Sequence, residues 1–261
     1  MDILSVTARR VAAVVVAVLL PGILTFAQIA YEWVPVPMDS TWDEIKDPTA
    51  THIIEEYKPL LGGLDEIVGY SVDEYSKDRP ESGLSNLAAD VILSCAEKET
   101  GAPVDISMTN FGGIRTSLPK GAVRVYDIYS IFPFENTVVT FDIKGSDLRK
   151  FIANMVSRNK IEAFGNIRMV VDGKRIEKLL VNGAPIDDRR VYRFATINFL
   201  MDGGDGITLR DLAMNYQDSG ILIREAIVDY FRSEFNSGPI ELKKDGRVRI
   251  INNSKKDSRQ R

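Results

Sequence analysis

The segment TVVTFDIKGSDLRKFIANMVSRN, residues Thr137–Asn159, contains both kinds of element from which the fold is built. TVVTFDIKG is rich in β-branched residues, and such a composition predicts a strand. The remainder, SDLRKFIANMVSRN, predicts a helix, for which Ser146 is the expected N-cap. The segment therefore predicts one strand followed directly by one helix.

Strands and helices follow one another in mixed order on both sides of this segment. Helices are predicted at residues 48–61, 86–99 and 218–234, and strands at 65–72, 104–110, the start of 123–134, 191–198 and 246–251. Residues 167–186 predict two strands joined by a hairpin at Asp172-Gly173, since Asp-Gly is a strong turn signal. This order favours an α+β fold, a single domain with a mixed β-sheet flanked by helices.

Composition limits the size of the core and the class of partner. A chain of 261 residues with 44% hydrophobic content can bury one sizeable core or at most two small ones. A net charge of −4 argues against a general nucleic-acid-binding protein, so no nucleic-acid polymer is expected as partner. The single cysteine, Cys95, excludes an internal disulfide framework. It lies in the apolar run LAADVILSCA, which is typical of a buried, unreactive thiol.

The N-terminal residues have the features of a secretory signal peptide. Arg9 and Arg10 precede the apolar run Val11–Leu20, and a small-residue cleavage site follows at Ala27. The alternative is an uncleaved membrane anchor, because residues 11–30 are about long enough to span a bilayer. The Pro-Gly pair after the run favours cleavage. We therefore expect an exported, periplasmic or extracellular protein, with a membrane contact only if the segment is retained.

The division of the chain follows from these features. We expect a signal peptide at residues 1–27, a proline-containing linker at 28–46, one domain at 47–252 and a disordered basic tail at 253–261.

The count of metal-ligating residues excludes the common hydrolytic centres. The chain has one histidine, His52, and one cysteine, whereas zinc and two-metal phosphatase sites need several such ligands. A Ser-His-Asp arrangement has no GxSxG elbow to hold it. His52 is expected on a helix surface, and we predict no catalytic residue and no metal ligand in this chain.

Loops at the ends of strands carry the residues suited to binding. NFGGIR (110–115) contains Arg115, IFPFENT (131–137) contains Phe134 and Asn136, and NFLMDGGDG (198–206) contains Phe199 and Asp205. Each loop alone has a structural explanation, since glycine turns are common and loop phenylalanines often fold into the core. Together they suit a flat aromatic ligand with a polar appendage: rings for stacking, an amide for the base edge, a carboxylate for hydroxyls and a guanidinium for phosphate or sugar oxygens.

The motifs SNLAAD, DISMTNFGGIR, SIFPFENTVVTFDIKGSDLR and TINFLMDGGDG, in this order and spacing, resemble the C-terminal domain of the 5'-nucleotidase and UDP-sugar hydrolase family. The resemblance covers about residues 47–252. In that family this domain binds the nucleotide, with the base held between two phenylalanines. It implies that Phe134 and Phe199 are those rings.

The resemblance also implies roles for polar residues. It places Asn136 at the base edge and Asp205 at the ribose hydroxyls. Asn110 and Arg115 match family residues that contact the nucleoside and its sugar-phosphate side. Arg79 is the candidate for a further family arginine, although its spacing to the SNLAAD motif differs by one residue.

The sequence departs from the family in its N-terminal half. Family enzymes carry a metallophosphatase domain with two metal ions and DxH, GNH and HxH motifs, none of which occurs here. Two functions remain open. The chain is the nucleotide-recognition subunit of a split hydrolase whose divalent metals belong to a separate metallophosphatase, or it is a free-standing nucleotide- or nucleoside-binding protein. A structural relic with a degraded pocket is disfavoured by the retention of both rings and Asp205.

Overall fold

The computed structural model describes residues 34, 48–57, 59 and 62–251. The predicted signal peptide, all of the predicted linker except Val34, and the predicted tail lie outside the described residues. The chain divides into two compact units at residues 57 and 58, and the predicted domain boundary at residue 47 stays a prediction. No helix within the described ranges has the length and apolar character needed to cross a bilayer.

The first unit contains one described helix, α1 (Pro48–Tyr57). It ends at Tyr57, whereas the sequence predicts a helix that continues to residue 61. His52 lies on this helix and is exposed, as expected for a surface residue.

The second unit alternates strands and helices. Its strands are β1 (Ile67–Ser71), β2 (Ile106–Thr109), β3 (Gly121–Arg124), β4 (Thr137–Lys144), β5 (Ala163–Gly165), β6 (Ile167–Asp172), β7 (Arg175–Val181), β8 (Ala184–Pro185), β9 (Val191–Ile197), β10 (Met214–Leu222) and β11 (Val248–Ile251). Its helices are α2 (Gly83–Thr100), α3 (Val125–Ile131), α4 (Gly145–Ser157), α5 (Asn198–Met201) and α6 (Ile223–Glu234). Short 3₁₀ turns lie at Phe111–Gly113, Gly204–Gly206, Arg210–Leu212 and Phe235–Ser237.

The strands form sheets of two, five and four strands. The five-stranded sheet has the order β10-β4-β9-β2-β5, in which β2 and β9 are parallel and the other neighbours antiparallel. The four-stranded sheet has the order β11-β6-β7-β8, with β11 parallel to β6. The predicted hairpin at Asp172-Gly173 joins β6 to β7. The α+β fold with mixed sheets and flanking helices is therefore confirmed.

The segment Thr137–Asn159 forms the predicted strand and helix, β4 and α4. Phe141 of β4 stacks on its cross-strand partner Phe194 of β9, with ring centroids 5.1 Å apart. Phe151 of α4 meets Phe194 edge-on at 6.4 Å, so the helix packs on the sheet through aromatic contacts. All three rings are buried.

The predicted N-cap of this helix was wrong. Helix α4 begins at Gly145, with Lys144 as the N-cap residue, and Ser146 lies inside the first turn. The first backbone N–H groups are satisfied by another part of the chain: Gly145 N donates to Arg190 O at 2.8 Å and Ser146 N to Asp188 O at 3.2 Å. A tertiary contact therefore replaces the side-chain cap that the sequence predicted.

The predicted helix over residues 218–234 was also wrong in its first part. Residues 218–222 belong to β10, where Asp218 pairs with Val139 and Leu222 with Thr137 of β4. The helix α6 begins only at Ile223. Gly220, at φ +70°, adopts a left-handed conformation that a helix does not contain. Likewise, the stretch 198–206 is not wholly a loop, because its first four residues form the single turn α5.

A buried carboxylate joins the start of α2 to the last strand. Glu81, only 6% exposed, accepts hydrogen bonds from Asn86 Nδ2 at 2.8 Å, Asp245 N at 2.7 Å, Gly246 N at 3.1 Å and Val248 N at 3.3 Å. We call this arrangement the Glu81 clasp. It fixes the chain that leads into β11 against the N-terminus of α2.

Candidate functional site

The three loops singled out in the sequence leave the same edge of the five-stranded sheet. Strands β2 and β9 are parallel, so the loops after them begin at the same edge. Strand β4 is antiparallel to β9, with Val138 opposite Ile197, and the loop before β4 therefore meets them there. A hydrogen bond from Thr137 N to Asn198 Oδ1 at 3.1 Å joins two of the loops directly.

A buried amide and an exposed carboxylate connect the first loop to the third. Asn110 is 4% exposed, and its Nδ2 donates to Asp205 Oδ2 at 2.6 Å. Its Oδ1 is buried and has no hydrogen-bond partner among the described residues. A buried acceptor without a donor is unfavourable, so the hydrogen bond to Asp205 satisfies this amide only in part. Asp205 has φ +55°, in the left-handed region that aspartate tolerates better than most residues.

The glycine pair after Asn110 is required by close packing. A Cβ at Gly113 would lie 2.8 Å from Asn110 Oδ1, and one at Gly112 would lie 3.2 Å from Asn110 Nδ2. Only glycines leave the amide in place beside Asp205. The glycines of NFGGIR therefore position a side chain as well as turning the backbone.

The two phenylalanines of the second and third loops are not core residues. Phe134 is 46% exposed and Phe199 is 42% exposed. Phe199 lies against Gly204, where an added Cβ would be 2.4 Å from the ring. The Phe134 ring faces the Arg115 guanidinium, whose Cζ is 5.8 Å from the ring centroid. Both rings therefore keep accessible surface at the edge where the loops meet.

The remaining polar residues of these loops have distinct surroundings. Arg115 is exposed, and its Nη1 donates to Gly112 O at 3.3 Å, so its guanidinium lies near the glycine pair. Asn136 is half-buried, and its carbonyl accepts from Ile223 N at 2.9 Å at the start of α6. The structure thus brings Arg115 and Asn136 to the same edge as the rings.

Arg79 lies beside the first loop but is held by other groups. Its Nη2 donates to both carboxylate oxygens of Glu162, at 3.1 and 3.2 Å, and its Nη1 donates to Ile161 O. The guanidinium stacks on Phe111, 4.4 Å from the ring centroid. Buried Glu162 also accepts from Phe111 N at 2.8 Å. Arg79 therefore supports the residue that follows Asn110.

Other cations at this edge were missed by sequence reasoning. Lys160 Nζ donates to Asp205 O at 3.3 Å, Arg158 Nη1 to Gly206 O at 3.4 Å, and Lys77 Nζ to Phe111 O at 3.3 Å. They hold the backbones of the third and first loops and place positive charge near Asp205. Their residue type was the signal in the sequence, and charged residues between elements are usually solvated.

The single cysteine is not one of the residues that these loops bring together. Burial raises the pKa of the Cys95 thiol to about 11, and the negative charge of Glu99 adds to the effect, so the thiol is protonated at neutral pH. This agrees with the expected unreactive cysteine, although the side chain is half-buried rather than fully buried.

Within the part of the chain that the structure describes, no cluster of three or more His, Cys, Asp or Glu residues could hold a metal ion.

Comparison with known proteins identifies the fold. The family described as 5'-nucleotidase, C-terminal domain matches residues 62–211. Protein UshA of Yersinia enterocolitica is 28% identical over 222 residues, which are 77% of this chain and 40% of that protein. An apyrase of Tabanus yao is 28% identical over 257 residues, covering 85% of this chain and 45% of that protein.

A solved structure agrees with these relatives. The 5'-nucleotidase precursor of Thermus thermophilus superposes with a TM-score of 0.66 at 26% identity, over 78% of this chain and 43% of that protein. The chain thus spans less than half the length of the relatives it matches. The family match covers more than half of the present chain and includes the three loops at the sheet edge. The chain belongs to the family of 5'-nucleotidase C-terminal domains.

Proposed function

We propose that this chain is the nucleotide-recognition part of an exported hydrolase of the 5'-nucleotidase type. The observation that carries the proposal is that the accessible rings Phe134 and Phe199 and the Asn110–Asp205 pair stand on loops at the same edge of one sheet. Aromatic faces stack on any base, and a carboxylate accepts hydrogen bonds from ribose hydroxyls.

Each polar residue has a role in this proposal. Asn136 contacts the base edge and Asp205 the ribose hydroxyls, while Asn110, hydrogen-bonded to Asp205, contacts the nucleoside beside it. Arg115 is exposed and contacts sugar or phosphate oxygens. Arg79 supports the first loop through Glu162 and Phe111.

Hydrolysis in this proposal requires a second protein. The 261 residues contain one histidine and one cysteine, too few for the usual two-metal phosphatase site. A separate metallophosphatase supplies the divalent metals and the attacking water, and this chain binds no cofactor of its own. Calorimetric titration with a panel of nucleosides and nucleotides, with and without an exported metallophosphatase, tests both parts of the proposal.

A second candidate is a free-standing nucleotide- or nucleoside-binding protein with no hydrolytic role. It is favoured by the fact that all seven candidate binding residues lie on this one chain. The titration separates the two: the split hydrolase shows phosphate release when the metallophosphatase is added, and the binding protein shows the same affinity and no release.

The purified chain alone is expected to release no phosphate from AMP or UMP above background, with Mg²⁺, Mn²⁺ or Zn²⁺ added, because it lacks the ligands of a two-metal centre. Phosphate release is measured colorimetrically over hours at micromolar protein. Metal-dependent turnover by the pure protein that disappears with a chelator would contradict the proposal.

We propose that residues 1–27 direct export and are then removed. The sequence features are Arg9, Arg10 and Ala27, and the Thermus relative is described as a precursor. The expected product begins at Gln28 and is recovered in a soluble extracytoplasmic fraction. Mass spectrometry of the N-terminus checks this, and an intact segment found in membranes would establish the anchor instead.

A further inference from the structure

Arg224, in the first turn of α6, occupies a position that disfavours a buried cation. The N-terminus of a helix carries partial positive charge, so a cation there is repelled. The side chain is only 14% exposed, and its Nε is buried without a hydrogen-bond partner among the described residues. A residue held in so unfavourable a place needs compensating contacts.

The compensating contacts go to the loop that carries Phe134 and to the helix before it. Arg224 Nη1 donates to Pro133 O at 3.2 Å, and Nη2 donates to Glu135 Oε1 at 3.4 Å. The guanidinium stacks on Tyr129 of α3, 4.7 Å from the ring centroid. The hydrogen bond to Pro133 O holds the backbone immediately before Phe134, whereas the pair with Glu135, which is 82% exposed, is a surface contact.

The neighbouring backbone holds the other end of the same loop. Ile223 N donates to the carbonyl of Asn136 at 2.9 Å. Phe134 itself is half-exposed, so core packing does not fix its ring. Its orientation depends instead on the loop backbone, which the first turn of α6 secures on both sides.

We propose that Arg224 is a positioning residue that holds the Phe134 ring in the orientation for base stacking. The inference rests on the proposed function, since it assigns a role within that nucleoside site. A pre-positioned ring binds without first losing conformational freedom, and affinity therefore rises without any contact between Arg224 and the ligand.

The test is a double-mutant cycle between Arg224 and Phe134. Arg224→Gln is made in the wild-type chain and in Phe134→Ala, and the Kd for adenosine and for uridine is measured by calorimetry. In the wild-type chain Arg224→Gln is expected to weaken binding about fivefold or more, and in Phe134→Ala it should change Kd by less than about twofold. Arg224→Lys keeps the charge but loses the planar fork, and we expect it to fall between wild type and Arg224→Gln.

A matched control lies on the same helix. Arg232→Gln removes an arginine near the other end of α6, where it pairs with exposed Glu66, and should leave Kd unchanged. Thermal melts of each variant report stability separately. If Arg224→Gln melts too early to be titrated, Tyr129→Leu removes the surface on which the guanidinium stacks and enters the same cycle.

The outcomes separate the two levels of the proposal. The positioning role is overturned if Arg224→Gln weakens binding equally in the wild-type chain and in Phe134→Ala. It is also overturned if Phe134→Ala weakens binding but Arg224→Gln changes Kd in neither background. If Phe134→Ala binds as tightly as wild type, the nucleoside site itself is misplaced and the proposed function fails.

Discussion

Replacing Phe199 by alanine is expected to weaken nucleoside binding by about tenfold or more. Stacking of a base on an aromatic side chain contributes about 1–3 kcal/mol, and about 1.4 kcal/mol corresponds to one decade in Kd. The ring is 42% exposed, so its removal should leave the melting temperature almost unchanged. Calorimetric titration and thermal melts on the same preparation measure both quantities. A variant that melts several degrees early and binds with wild-type affinity would place the ring in the core and the pocket elsewhere.

Two companion variants sharpen this test. Gly204→Ala puts a Cβ where the Phe199 ring now lies, 2.4 Å from its nearest atom, so the ring must move and affinity should fall with the phenylalanine still present. Asp205→Asn retains the shape but removes the charged acceptor. It should weaken the binding of ribonucleosides more than that of free bases.

Replacing Glu81 by alanine is expected to have the largest effect on stability, about 3–5 kcal/mol. The substitution leaves the backbone N–H groups of Asp245, Gly246 and Val248 without their acceptor, and Asn86 Nδ2 keeps only Lys243 O. For a domain of this size the loss corresponds to a fall in Tm of about 10 °C. Circular dichroism during heating or urea titration measures the loss.

Glu177→Ala is the matched control for the Glu81 clasp. Glu177 is an exposed carboxylate on β7, and its removal should change the free energy of unfolding by less than about 0.5 kcal/mol. Equal effects of the two substitutions would mean that the Glu81 clasp does not hold β11.

The elements that sequence predicts best are those with a strong local pattern. The β-branched run in Thr137–Lys144 marks a strand clearly, and β4 lies inside its sheet with both faces covered over Val138–Phe141. Residues 218–222 lack this pattern, since β10 is an edge strand with several exposed residues, and the helix after it was extended backwards over them. The Ser146 cap failed for a different reason: the helix already begins at Gly145, and its first N–H groups donate to carbonyls at residues 188 and 190.

The sequence predicts those residues of the candidate site whose chemistry is visible from the composition of their own loop. Phe134, Phe199 and Asp205 stand beside glycine or proline, and that composition is visible in the sequence. Arg224 and Lys160 act through carbonyls distant in the chain, so only the fold shows what they contact. The buried, half-satisfied amide of Asn110 likewise depends on Asp205, 95 positions further on.

The Glu81 clasp also determines when folding can finish. Glu81 and its partner Asp245 are 164 positions apart, so during synthesis the carboxylate remains hydrated until nearly all of the domain has left the ribosome. Strand β11 pairs with β6 at the same late stage, and until then the edge of the four-stranded sheet stays open. The four-stranded sheet can therefore be completed only after the last residues of the domain have been synthesised.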